Sequence, residues 1–122
     1  MNNQQLVSIG NELITSVKGI FPQNAEFECH YDSTRLAFVC TVYWKLNNDD
    51  RRPNKPSRII VIVVSSESIE DSGYEKRKSI VHERFKTFIQ AKYNQFTPNH
   101  DEPYGKPPPT EEWLIDNNLL NH

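Results

Sequence analysis

The chain has 122 residues, 36% of them apolar and 25% charged, with a formal net charge of −2. That length suits one modest core rather than two, the balance of charge falls short of the basic surface usual for nucleic-acid proteins, and two cysteines are too few for a disulfide framework. The opening Met1-Asn2-Asn3-Gln4-Gln5 has neither a basic start nor an apolar run, so no secretory leader is expected. The longest apolar run, residues 59–64, is far too short to span a bilayer. A soluble, cytoplasmic protein without a membrane partner is the expectation.

Residues 2–20 read as a helix, because Leu6, Ile9, Leu13, Val17 and Ile20 recur at helical spacing and Pro22 stops the ladder. Residues 25–46 read as a hairpin. Phe27, Cys29 and Tyr31 alternate with polar neighbours, Asp32-Ser33-Thr34 supplies turn chemistry, and Leu36, Phe38, Cys40, Val42, Trp44 and Leu46 alternate on the return. A two-residue turn pairs Cys29 with Leu36 and a four-residue turn pairs it with Phe38. Neither sets Cys29 opposite Cys40, so both cysteines are expected to be small buried hydrophobes.

The second strand is apolar on its other side as well, through Ala37, Val39, Thr41 and Tyr43. The third, residues 58–65, is apolar on both sides. A strand without a polar face is normally covered on both. Between these strands, residues 47–57 read as a polar loop carrying Arg51, Arg52 and Lys55.

Residues 66–94 read as mostly helix, capped by Ser66 or Ser68 and interrupted near Gly73, with Val81, Phe85, Phe88, Ile89 and Tyr93 as its apolar stripe. The tail, residues 97–122, is Pro-rich and acidic. Its first half reads as extended, and Thr110 reads as the cap of a short helix presenting Trp113, Leu114, Leu119 and Leu120.

The expected architecture is therefore α+β, in the order α-β-β-β-α. A three-stranded antiparallel sheet packs with two helices in residues 1–96, and the tail, residues 97–122, docks on the body or on a sister subunit. Double-stranded RNA-binding domains share this element order. They also need a loop between the first two strands, which the short turn here does not supply.

No catalytic, cofactor or metal motif stands out. The four histidines are scattered, where metal sites need three or four converging ligands. Tyr43 occupies the place where a nuclease-like acid would precede Lys45. An enzyme would need a pocket joining Tyr43 with His30 or Asp32. Charge is split along the chain, net −4 on the tail against +2 on residues 1–96. The candidate nucleic-acid contacts are Arg51, Arg52, Lys55, Arg58, Lys76, Arg77 and Lys78, and an acidic tail folded over the basic loop would mask part of that set. Candidate protein contacts are Trp113, Leu114, Tyr43 and Val39. The leading expectation is a non-enzymatic accessory or adaptor protein working through protein–protein contact as a homodimer, without a cofactor. The alternative is a nucleic-acid-associated protein using the basic set.

Overall fold

A computed structural model describes residues 2–46, 55–103 and 105–121. Helix α1 (Asn3–Val17) begins at a reciprocal cap, in which the Asn2 side chain accepts from the Gln5 N–H and the Gln5 side chain accepts from the Asn2 N–H. A 3-10 turn (Lys18–Ile20) follows. Strands β1 (Glu26–Asp32), β2 (Ala37–Tyr43) and β3 (Ile59–Ser65) come next. Two helices, α2 (Ser66–Asp71) and α3 (Tyr74–Gln95), lead to β4 (Thr110–Ile115) and α4 (Asn117–Asn121).

The class is α+β, but among the described residues the sheet has four strands rather than three, in the order β1-β2-β3-β4. The first two pairings are antiparallel, and β4 adds to β3 in parallel. The segment expected to be a helix capped by Thr110 is thus a strand. Its backbone is drawn out by the β3 edge, where Ile62 lies opposite Trp113 and the Ile59 N–H bonds to the Pro109 carbonyl. A parallel partner so distant in sequence outweighs a local capping pattern.

The hairpin register also differs from both expected ones. The loop has four residues, but it begins after Asp32, which pairs with Ala37, so Cys29 lies opposite Cys40. The Asp32 carboxylate accepts from the N–H groups of Thr34 and Arg35, and Leu36 closes the loop in the left-handed region at φ 51°. Leu36 is consequently an exposed loop residue instead of a strand residue.

Ser65, and not Ser66 or Ser68, caps α2 by accepting from the Ser68 N–H. Gly73, at φ 63°, separates α2 from α3 in a conformation that other residues adopt at a cost. The α3 backbone kinks at Arg77.

Every helix face that carries the core packs on one side of the sheet. Leu6, Ile9, Leu13, Ile14 and Val17 of α1 and Val81, Phe85 and Ile89 of α3 enclose Phe38, Cys40, Val42, Ile60, Ile62 and Val64. Helix α1 crosses β2 so closely that a Cβ on Gly10 would fall 2.4 Å from Phe38 Cγ. Trp113, Ile115 and Leu120 from the tail belong to the same cluster. Trp113 is 0% exposed, and its indole N–H donates to Glu111 at 2.7 Å, so its one polar group is satisfied where it is buried.

A candidate protein-contact face

The other side of the sheet carries the alternate residues. In register they form rows across the strands: His30, Val39, Val63 and Leu114 in one, and Glu28, Thr41, Val61 and Glu112 in the next. A small cluster of Ala37, Val39 and Val63, joined by Val61, lies here apart from the main core and consists of strand residues alone. The centre of this face is apolar, and its margin on β1 carries Glu26, Glu28 and Asp32.

The face is not uniformly wet. Val63 is only 3% exposed, whereas Leu114 on the neighbouring strand is 59% exposed. Arg35 borders both residues. From the β1–β2 loop it forms an ion pair with Glu112 on β4, and with Ala37, Val63, Ser65, Leu114 and Asn117 it lines a shallow hollow of about 360 Å³. Its guanidinium stays at the surface, paired with Glu112.

Of the candidate protein contacts, Val39, Tyr43 and Leu114 share this face. Trp113 does not, because strand alternation sends it to the opposite side. Its expected role as a docking residue is corrected to that of a core residue. Tyr43 donates to Glu28 at 3.2 Å. The nearby Glu26 carboxylate, then partial desolvation and the Glu28 carboxylate raise the Tyr43 phenol to about 12. His30 lies opposite Val39, and the Asp32 carboxylate accepts from the Thr34 and Arg35 N–H groups in the turn.

Arg51 and Arg52 lie outside the described residues. Lys55 is 8% exposed and donates to the Asn99 side chain and the His100 carbonyl. Arg58 pairs with Glu111 at 3.4 Å and lies over the Phe96 ring. Arg77 donates to the carbonyls of Ser72 and Leu120, and Lys78 pairs with Glu75 at 3.9 Å. Lys76 is exposed. Lys55 and Arg58 thus hold the tail in place rather than forming an open basic loop.

One polar cluster gave no sequence signal. Tyr74 donates to Glu12, and His82 Nε2 lies 2.7 Å from the same phenol oxygen. Because the phenol's single proton goes to Glu12, His82 supplies the N–H in its own bond. Burial and Glu12 push the Tyr74 phenol up, so it stays protonated and cannot serve as a base at neutral pH. The cluster ties α1 to α3. The three residues are far apart in sequence, and no spacing rule joins them.

Neither the protein-family models, nor the curated proteins, nor the solved structures contain a match to this chain. Among the described residues, no three His, Cys, Asp or Glu side chains are placed to hold a metal ion, and no helix is long and apolar enough to cross a membrane.

Proposed function

We propose that this chain is a non-enzymatic adaptor that acts through protein–protein contact, with a second copy of itself as its first partner. The observation that carries the reading is the helix-free face, where Leu114 is exposed beside the apolar centre formed by Val39, Val61 and Val63. A large exposed apolar side chain next to an apolar cluster, with a polar margin around them, is a feature of contact surfaces. Two such sheets would stack about 10 Å apart and cover Leu114 and Val61 of each copy.

The margin gives the reading a test. Stacking two copies brings Glu26, Glu28 and Asp32 near further carboxylates, so added salt should screen the repulsion and tighten self-association. The same acidic margin favours a second reading, a different protein whose apolar contact is flanked by lysine or arginine, and salt would weaken that complex. Sedimentation velocity at micromolar concentration, in low and high salt, separates the two. A dimer that tightens with salt and is lost in Val61→Glu supports self-association. A monomer under every condition overturns it. The nucleic-acid alternative has less support, since Lys55, Arg58 and Arg77 are engaged within the chain.

A further inference from the structure

The central pair of the β1–β2 ladder sets Cys29 directly opposite Cys40, with the two sulfurs 2.9 Å apart in a shared hydrogen bond. Both are free thiols. Opposed residues of an antiparallel ladder have Cα atoms about 4.5–5.5 Å apart, within the span that a disulfide bridges. Reaching a covalent bond of about 2.05 Å would bring the sulfurs less than about 1 Å closer, so the strands need not part.

The two thiols are not equivalent. Cys40 is 0% exposed in the middle of the sheet, whereas Cys29 is half-buried on the edge strand. Once ionised, Cys29 accepts from the Cys40 S–H, and that bond, helped by the Lys18 ammonium and opposed by partial burial, holds the Cys29 thiol below its ordinary value. The same bond and deeper burial push Cys40 up. The thiolate is the attacking species in exchange, so the accessible cysteine is also the one more readily ionised.

We propose that Cys29 and Cys40 form a thiol–disulfide exchange site, in which Cys29 attacks a small-molecule disulfide and Cys40 resolves the product into an intrachain bond. In the first step the Cys29 thiolate bonds to one sulfur of the disulfide and expels the other half as a thiolate. That thiolate takes the Cys40 proton. The Cys40 sulfur then bonds to Cys29 Sγ and displaces the second half, which takes up the proton Cys29 gave up on ionising. Two protein thiols are oxidised to one disulfide, and the small molecule is reduced to two thiols. The new bond staples edge strand β1 to β2 at mid-ladder. The site is independent of the helix-free face, because both sulfurs lie on the side that the helices cover.

The test starts from the reduced full chain, incubated with glutathione disulfide, quenched with an alkylating reagent and read by intact mass and peptide mapping. Wild type should lose both alkylatable thiols together, fall in mass by two hydrogens and yield a peptide linking positions 29 and 40. Cys40→Ser should stop with one glutathione on Cys29, and Cys29→Ser should leave Cys40 unmodified. Wild type that keeps both thiols, retains glutathione on Cys29 or links only between chains overturns the proposal, and that reading requires no variant to fold.

Discussion

The two faces of the sheet are built from alternate residues of the same four strands, yet they solve different problems. The helix-covered side packs Phe38, Ile60, Ile62, Val64 and Trp113 out of water, and the charged side chains nearest it serve as anchors, as Arg58 and Glu111 do beside Trp113. The helix-free side uses smaller residues at its centre and carboxylates at its margin, and one long side chain, Arg35, reaches across it to Glu112. Packing density holds the first side together, so volume changes should be costly there. On the second side the same changes should alter association more than folding.

The largest effect expected on the covered side is that of Trp113→Ala, which empties the centre of the cluster and should lower unfolding stability by about 3–5 kcal/mol in chemical denaturation. A loss within the range of a surface change would mean that the tail is not part of the core. Gly10→Ala should come next, at about 1–3 kcal/mol of destabilisation from overpacking against Phe38, enough to outweigh the gain of about 1 kcal/mol in helix propensity. On the other side, Arg35→Ala breaks an exposed ion pair and should change stability by no more than about 1 kcal/mol. It should nonetheless bare Ala37 and Val63 and, in high salt where the freed Glu112 charge is screened, strengthen self-association in sedimentation. If association is unchanged, the arginine does not shelter the face.

The smallest effect is a titration. With the Tyr43 phenol raised from 10.0 to about 12, its contribution to stability is fully present below pH 10 and is lost as pH rises through 12. Glu26→Gln should draw the phenol back down, read as the absorbance difference from a Tyr43→Phe control.

Much of the covered face was legible from alternation and helical spacing, because Leu6 to Val17 and Val81 to Ile89 repeat at the period of the elements that carry them. The two-sided apolar run in β3 was legible as a strand with both faces covered, but that β4 pairs beside it was not. What stayed hidden depended on long-range partners. Thr110-Glu111-Glu112 has the chemistry of a helix start, and only the β3 edge makes it a strand. The cysteine pairing turned on whether Asp32 belongs to the turn or to the ladder, which rests on a leucine in a conformation that sequence gives no reason to expect there. Lys55 carries a charge that composition assigns to solvent, but Asn99 and the His100 carbonyl give it buried partners.

Parallel addition of β4 has a consequence for how the chain is made. During synthesis the nascent polypeptide leaves the ribosome with residues 110–115 behind the other strands of the described residues. Until they emerge, β3 is an open edge bordering the space that the indole of Trp113 will fill. That interval is when the growing protein is most prone to pair with a neighbour.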